Sequence, residues 1–321
     1  MRTSSSTSPL VVVLVGPTAS GKTALLDAIF GDGSARAAYG LPEAEVVSAD
    51  SMQAYRGMDI GTAKPDAGLR SRLPHRLLDI LDIKEQYTVG DFVRLADLAC
   101  AEIAASGRLP ILSGGTGFYV RNFICGLPSG PAADSATREA VARDLGERGA
   151  AALREELAGV DPESAARIHP NDTYRLTRAL EITRRTGRPM ADFAAPKAPR
   201  VGFRFAVIGI ERPRGELAAR IGARVDAMMA AGLAEELAAL RRAGYGRGDP
   251  GMQAIGYREF FEAEDSGGVD PVEAVKADTR RYAKRQMTFF RALPGIEWLP
   301  PDAEALAARL ASIVHPGPNA L

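Results

Sequence analysis

One segment near the amino terminus restricts the possible folds more than any other part of the chain. Residues 16–23, Gly-Pro-Thr-Ala-Ser-Gly-Lys-Thr, match the phosphate-binding pattern G-x-x-x-x-G-K-[ST]. The apolar run 10–15 before them predicts a buried parallel strand, and residues 24–30 after them predict a helix. In such a unit, successive backbone N–H groups and the helix N-terminus converge on a diphosphate. The alternative is a tight strand-to-helix turn without a ligand, and the complete pattern disfavours it.

Every residue of this phosphate loop is a candidate diphosphate contact. These residues are Gly16, Pro17, Thr18, Ala19, Ser20, Gly21, Lys22 and Thr23. Lys22 supplies a positive charge, and the Thr23 hydroxyl is a candidate ligand for Mg²⁺. The loop contacts phosphate oxygens only, so its sequence leaves open which molecule carries the phosphate.

The composition is typical of a soluble globular enzyme. Of the 321 residues, 46% are hydrophobic and 25% are charged, and the formal net charge is zero. A neutral chain argues against a wholly basic nucleic-acid protein, and no early apolar run is long enough to span a membrane. Cys100 and Cys125 are isolated, which favours the reducing cytoplasm, and the three histidines have no metal-ligand spacing.

Strand and helix patterns alternate through the first part of the chain. Residues 46–49, 77–80 and 109–113 are strand candidates, and 88–106 predict a helix. This alternation predicts an α/β fold with a doubly wound parallel sheet, whose ligands lie beyond the strand carboxyl ends. Asp50 and Thr116 follow two such strands, so we expect both near the phosphate loop. No acidic residue ends the 109–113 strand, where an ATPase often has its Mg²⁺ ligand.

The alternation stops near residue 128 and resumes with a strand at 203–210. Between them the pattern is helical, with faces rich in alanine and in charged residues. We therefore expect a helical insertion at 128–200 within a core formed by 9–127 and 201–315. Helices are expected at 215–243, 256–264 and 270–292, and flexible tails at 1–8 and 316–321.

Two helices are predicted to have basic faces. At 100° per residue, five cations of 279–291 fall within an arc of about 140°: Arg280, Arg281, Lys284, Arg285 and Arg291. On 172–185, three arginines share one side: Arg175, Arg178 and Arg185. A basic face that is merely solvated is the alternative. Because no acids are expected to pair with these cations, the two faces favour a polyanionic partner.

Several segments together resemble the tRNA dimethylallyltransferases, also called tRNA isopentenyltransferases. The resemblance rests on 16–23, Ser48–Pro65, Pro74–Asp79, Gly114–Tyr119, His169–Asp172, Arg178–Glu181, Ile255–Glu259 and Thr279–Gln286. The block Asp59-Ile60-Gly61-Thr62-Ala63-Lys64-Pro65 is very specific. Two positions differ from the family pattern: Arg76 stands where a second histidine is common, and Phe289 stands where tryptophan is usual. The chain ends without the zinc-finger extension of eukaryotic members, so a bacterial-type enzyme is expected.

The resemblance implies a P-loop-type core with a helical insertion that contacts tRNA. It also implies transfer of a dimethylallyl group from dimethylallyl diphosphate to the exocyclic amine of the adenosine 3′ of the anticodon. The partners would be this diphosphate, Mg²⁺ and the tRNA anticodon stem-loop. A cytoplasmic monomer that does not bind membranes is expected.

By resemblance, Asp50 is the general base, with a Mg²⁺-shell or loop-capping carboxylate as its alternative. Arg224 matches a family arginine that helps to bind the diphosphate, and Thr116 matches a residue that contacts the target nucleotide, or else caps the following helix. The other implied tRNA contacts are Ser51, Met52, Gln53, Arg138, Tyr174, Arg175, Leu176, Thr177, Arg178, Gln253, Ala254, Ile255, Gly256, Tyr257 and Arg258. Arg280, Lys284 and Arg285 are further candidate contacts, to the phosphate backbone of the RNA.

Three other functions compete with this interpretation. A P-loop small-molecule kinase would bind ATP, and a nucleic-acid-dependent ATPase would need an acidic strand end. An adenylate isopentenyltransferase would modify free nucleotides, which require no large basic surface.

Overall fold

The chain divides into two units in the computed structural model, which describes residues 8–130 and 134–316. The core unit comprises Met1–Ile124 and Ala198–Leu321, and the insertion unit is Cys125–Lys197. The insertion expected at 128–200 begins and ends three residues later than this unit. Residues 131–133 of it lie outside the described residues, as do the expected tails apart from Ser8 and Pro316.

A six-stranded, all-parallel sheet forms the centre of the core unit. Its strands are β1 (Leu10–Val15), β2 (Ala44–Ser48), β3 (His75–Arg76), β4 (Leu109–Gly114), β5 (Arg204–Ile210) and β6 (Glu297–Leu299). The spatial order is β3-β2-β4-β1-β5-β6. Chain order and spatial order therefore diverge at β1, which lies between β4 and β5. This switch point is where open α/β sheets bind ligands.

The α-helices of the described residues alternate with these strands and form the insertion. They are α1 (Lys22–Phe30), α2 (Ser34–Ala38), α3 (Ala67–Arg72), α4 (Val89–Ala105), α5 (Gly117–Cys125), α6 (Ser135–Val160), α7 (Pro162–Arg167), α8 (Thr173–Thr186), α9 (Arg214–Ala230), α10 (Leu233–Arg242), α11 (Arg258–Ser266), α12 (Pro271–Phe290) and α13 (Ala303–Val314). Short 3₁₀ turns occur at Met190–Phe193 and Gly251–Gln253. Among the described residues, no helix is both long and apolar enough to span a membrane.

Burial explains why β1 is central. Residues 11–15 are at most 1% exposed, as expected for a strand covered on both faces of a parallel sheet. Leu26 and Ile29 of α1 pack on one face together with Leu306 and Leu310 of α13. The phosphate loop is thus anchored at both ends, by a buried strand and by a buried helix.

Three sequence expectations were wrong in detail. Residues 77–80 do not form a strand, because Leu77 and Asp79 adopt positive φ angles of 63° and 55°, and β3 is His75–Arg76 instead. The single helix expected at 215–243 is broken by Gly232, which has a φ of 99°. The helix expected at 256–264 begins two residues later, at Arg258.

The insertion unit is a helical body with its own small core. Leu153 and Leu157 of α6 pack against Leu176 and Leu180 of α8. Asp161, which is buried, accepts hydrogen bonds from the backbone N–H groups of Ser164 and Met190. This carboxylate caps α7 and holds the turn after α8, so the unit is stabilised by polar as well as apolar contacts.

Candidate active site

The site lies where the carboxyl ends of β1, β2 and β4 meet. Val15 pairs with Gly114, and Ser48 pairs with Ser113, so the three strands end at the same level. The phosphate loop follows β1, Asp50 follows β2, and the glycine loop (residues 114–117) follows β4. Gly114 is required here, because a Cβ at this position would lie 2.3 Å from the Ala49 backbone. The sheet therefore brings the three loops together, as the parallel fold predicts.

The phosphate loop has the conformation of an anion site. Ala19 and Gly21 have positive φ angles of 61° and 97°, and Gly21 is the residue before α1. The first N–H groups of a helix have no partner within the helix, so those of Lys22 and Thr23 are available to a phosphate. The Lys22 ammonium donates to the carbonyl oxygens of Gly16 (2.8 Å) and Pro17 (3.2 Å).

Three arginines from the β5–α9 region surround this loop. The Arg212 guanidinium donates to Ser20 O (2.7 Å), and the Arg220 guanidinium donates to Ala19 O (2.9 Å). Arg224 lies one turn beyond Arg220 on α9. Of these three arginines, only Arg224 was predicted from the sequence. The i, i+4 spacing of Arg220 and Arg224 is the signal that points to the second arginine.

Lys22 and the neighbouring Arg224 are partly removed from solvent. Burial, together with the nearby Arg224 charge, lowers the pKa of Lys22 to about 8, although Asp50 opposes the shift. Burial also lowers the pKa of Arg224, again against the attraction of Asp50. Two half-buried cations near each other disfavour each other's charge. An anion bound between them would remove this repulsion, so the site is electrostatically suited to a diphosphate.

Two cavities meet at the phosphate loop. The first, of about 360 Å³, extends from Thr18 and Lys22 past Asp50 to α12. The second, of about 430 Å³, lies between the loop and α9. Both are lined by Lys22, Thr23 and Arg224. A group bound by these three residues can therefore be reached from both cavities.

Asp50 is half-buried and lines the first cavity. Its Oδ1 accepts a hydrogen bond from the Met52 N–H (3.0 Å), which orients the carboxylate. Thr116 Oγ1 accepts from the Ser51 N–H (3.0 Å) and donates to Ser51 Oγ (3.3 Å). Thr116 itself does not line the cavity. Its observed contact holds the residue next to Asp50.

The structure brings most of the predicted acceptor residues of the core unit to this cavity. Its walls include Asp50, Ser51, Met52, Gln53, Gln253, Ala254, Ile255, Gly256, Arg258 and Arg285. Tyr257 is different: it is fully buried, it is not part of the cavity wall, and its hydroxyl donates to Glu236 (2.6 Å). The Arg258 guanidinium is held by Asp278 (2.7 Å) and Glu259 (3.1 Å).

The basic face of α12 exists, but the expectation that no acids pair with its cations was wrong. Arg281 pairs with Asp278, and Arg291 pairs with Glu211 (2.9 Å). Among the residues that the structure describes, the exposed side chains of Arg280, Lys284 and Arg285 have no acidic partner. Arg280 and Lys284 line a separate groove of about 790 Å³ with Arg212, Arg214 and Arg291. Positive charge is therefore concentrated on this side of the core unit.

In the insertion unit, the prediction that the arginines of α8 have no acidic partners is also wrong. Arg175 pairs with Asp172 (3.3 Å), Arg178 with Glu181 (2.9 Å) and Arg185 with Asp134 (3.4 Å). Leu176 cannot contact RNA through its side chain, because it is 0% exposed in the core of the unit. Apolar residues at helical spacing face the core, and the resemblance alone had placed Leu176 among the contacts.

The remaining insertion residues are accessible in varying degree. Tyr174 is 79% exposed, and Arg138 is exposed on α6. The Thr177 hydroxyl donates to Tyr174 O (3.0 Å) at the half-buried edge of α8. Tyr174, Arg138 and Arg175 thus present side chains that a large partner can reach.

The protein oxygens of this site could bind a magnesium ion only if a phosphate supplied further ligands. Within the described ranges, no group of three or more His, Cys, Asp or Glu side chains could hold a metal. Thr23 places a hydroxyl at the start of α1 on the wall of both cavities. Mg²⁺ usually retains several waters and binds through one or two protein oxygens plus substrate phosphates. Thr23 fits this mode of binding.

Comparison with known proteins gives a consistent result. A family model described as IPP transferase matches residues 53–293. The tRNA dimethylallyltransferase of Geobacter sulfurreducens is 44% identical over 301 residues, which cover 90% of this chain and 91% of that protein. The tRNA dimethylallyltransferase of Geobacillus thermodenitrificans is 42% identical over 308 residues, covering 94% of each.

Solved structures agree with the sequence relatives. The full-length tRNA isopentenylpyrophosphate transferase of Bacillus halodurans has a TM-score of 0.67 and 37% identity, with 96% of each chain covered. A eukaryotic dimethylallyltransferase acting on tRNA has a TM-score of 0.74 and 25% identity. That match covers 96% of this chain and 77% of the other.

The geometry predicts that Lys22 is essential for binding inorganic diphosphate. Lys22→Met removes one half-buried cation but nearly preserves the length of the side chain. We expect diphosphate affinity, measured by calorimetry, to fall at least 10-fold, because a charge-assisted contact is worth about 1.5–3 kcal/mol. Lys276→Met, which removes an ion-paired lysine of α12, is the control and should bind diphosphate normally. Equal affinity in both variants would contradict the assignment.

Proposed function

The chain belongs to the IPP transferase family, and we propose that it transfers a dimethylallyl group from dimethylallyl diphosphate to tRNA. The acceptor is the exocyclic amine of the adenosine on the 3′ side of the anticodon, and the product is isopentenyladenosine. The observation that best supports this function is the meeting of two cavities at Lys22, Thr23 and Arg224, with Asp50 on the wall of one. One cavity would hold the donor and the other the acceptor.

The donor would be activated by stabilising its leaving group. As the allylic C–O bond breaks, negative charge accumulates on the diphosphate. The Lys22 ammonium and the N–H groups at the start of α1 are positioned to stabilise that charge. Arg224, and Arg220 beside it, would neutralise the remaining oxygens. A Mg²⁺ ion held by Thr23 would supply further electrostatic stabilisation of the departing diphosphate.

The acceptor needs a residue that removes a proton. The lone pair of an adenine amine is delocalised into the ring, so the amine is a weak nucleophile. Asp50 has one carboxylate oxygen fixed by the Met52 N–H, while its other oxygen lies beside Gly115 of the glycine loop. We assign Asp50 as the general base. The Ser51–Thr116 hydrogen bond keeps the segment after Asp50 in place.

An adenosine inside the anticodon loop must leave the base stack to reach this cavity. Unstacking a loop nucleotide costs a few kcal/mol, which is less than for a base in a duplex. Met52 and the segment Gln253–Gly256 line the cavity and would surround the flipped base. The accessible cations of α12 and of the insertion unit would contact the RNA backbone, independently of its sequence. We propose a cytoplasmic monomer, since both substrate sites belong to one chain and tRNA is cytoplasmic.

The direct test of this function is incubation with dimethylallyl diphosphate, Mg²⁺ and unmodified tRNA, followed by nucleoside mass spectrometry. We expect one dimethylallyl group per tRNA, and only in tRNAs with adenosine 3′ of the anticodon. An anticodon stem-loop should also be modified. Transfer to AMP without transfer to the stem-loop would instead indicate an adenylate isopentenyltransferase.

Asp50→Asn should separate chemistry from binding. The amide preserves shape but cannot usefully accept a proton, so single-turnover transfer should fall by about 10²–10⁴-fold. Donor and tRNA affinities, measured by fluorescence titration, should remain nearly normal. Asp66→Asn is a matched control, because Asn also caps a helix at that position, the N-cap of α3. A loss confined to Mg²⁺ or donor affinity would reassign Asp50 to the metal site.

Arg280→Gln combined with Lys284→Gln should weaken tRNA binding. Each lost phosphate contact should reduce the slope of log K against log salt by roughly 0.7–0.9, because fewer counterions are released. Diphosphate affinity should not change. The matched control is Arg281→Gln with Arg291→Gln, which removes two cations that already have acidic partners. Equal effects of the two double variants would show that this face contributes net charge only.

A further inference from the structure

Gln286 is a buried polar residue that the reaction chemistry does not use. It lies near the end of α12 and is 4% exposed. Its Oε1 accepts a hydrogen bond from the backbone N–H of Thr18 (2.8 Å), and its Nε2 donates to the backbone O of Gly115 (2.8 Å). One carboxamide thus joins the phosphate loop to the glycine loop.

Both contacts are specific to the shape of a glutamine. A Cβ at Gly115 would lie 2.4 Å from Gln286 Nε2, so the glycine is needed for the amide to approach. The same Cβ position lies 3.8 Å from Asp50 Oδ2, so Gly115 is adjacent to the proposed base. Tyr282 donates a second hydrogen bond to Gly115 O (3.2 Å). Burial raises the pKa of Tyr282 to about 12, which keeps its hydroxyl protonated.

The helix that presents Gln286 is firmly packed. Val275, Ala283 and Phe290 of α12 are buried. Ala283, one turn before Gln286, packs with Ala19 of the phosphate loop and with Leu217 and Ile221 of α9. Because α12 contacts the phosphate loop through apolar and polar side chains, Gln286 has a fixed position relative to both loops.

We propose that Gln286 is a positioning residue that sets the separation between the donor, held by the phosphate loop, and the acceptor amine beside Asp50. This inference rests on the proposed function. Transfer requires the allylic carbon and the amine to approach to roughly 3–3.5 Å, and an error of about 1 Å can reduce the rate about 100-fold. The pairing of β1 with β4 fixes the relative positions of the two strand ends, and Gln286 links the two loops that follow those ends.

The test compares Gln286→Met, which keeps the volume but makes neither hydrogen bond, with Gln286→Glu. The glutamate can still accept from Thr18 but cannot donate to Gly115 as a carboxylate. In both variants we expect single-turnover transfer to fall about 10–100-fold. The dissociation constants for diphosphate and for an anticodon stem-loop should each change less than about threefold. In hydrogen exchange, the Thr18 amide should lose protection in Gln286→Met and retain more of it in Gln286→Glu.

Leu306→Ala is the control for general destabilisation, because Leu306 of α13 is fully buried in the core beside the sheet and lines neither cavity. If Leu306→Ala slows transfer as much as Gln286→Met at an equal loss of thermal stability, the proposal is overturned. A loss that appears only as weaker diphosphate binding also overturns it. The exchange of the Thr18 amide requires no turnover, so an inactive wild-type protein would contradict the proposed function without obscuring this result.

Discussion

The parallel pairing of β1 with β4 is the interaction on which the site depends. The register Val15 to Gly114 places the phosphate loop and the glycine loop side by side, and the pairing of β2 with β4 adds Asp50. A shift of one residue would exchange the side chains that β1 presents to the two faces of the sheet, and because both faces are buried it would disrupt packing on each side. Because the loops follow these strands directly, the sheet also determines which functional groups meet.

Electrostatics explains why the site binds an anion and why its parts act together. Lys22 and Arg224 are half-buried near each other, and the Asp50 carboxylate opposes the resulting repulsion. A bound diphosphate would reduce this repulsion in the ground state, and charge on the departing diphosphate would be stabilised more strongly. The same carboxylate is the group proposed to receive the proton. The donor contacts and the acceptor contacts are therefore electrostatically linked through Asp50.

Local sequence patterns predicted the elements that depend on local physics. The apolar runs of β1 and β4 were predicted because buried parallel strands are continuously hydrophobic. The α4 helix was predicted within one residue at each end, and Thr88 and Asp91 form its capping box. The strand expected at 77–80 was wrong because Asp79 turns to pair with Lys64 and Arg70, which is a tertiary effect. The break between α9 and α10 at Gly232 was missed because the local sequence has no signal that distinguishes it.

The site was predictable only in part, for a related reason. The phosphate loop and Asp50 follow recognisable strands, so the sequence located them. Arg212 contacts Ser20 across 192 residues, and Gln286 contacts Thr18 across 268 residues. No periodicity within a helix can indicate such contacts. The pairing of the α8 arginines was also missed, since Arg185 pairs with Asp134 of another segment.

The central claim is that the phosphate loop binds an allylic diphosphate and not a nucleoside triphosphate. The most direct measurement is calorimetric titration, in the presence of Mg²⁺, with the unreactive thiolo analogue of dimethylallyl diphosphate and with ATP. We predict that the analogue binds, that Lys22→Met weakens its binding at least 10-fold, and that ATP neither binds as tightly nor displaces it. Tighter binding of ATP, with displacement of the analogue, would contradict the account and indicate a kinase.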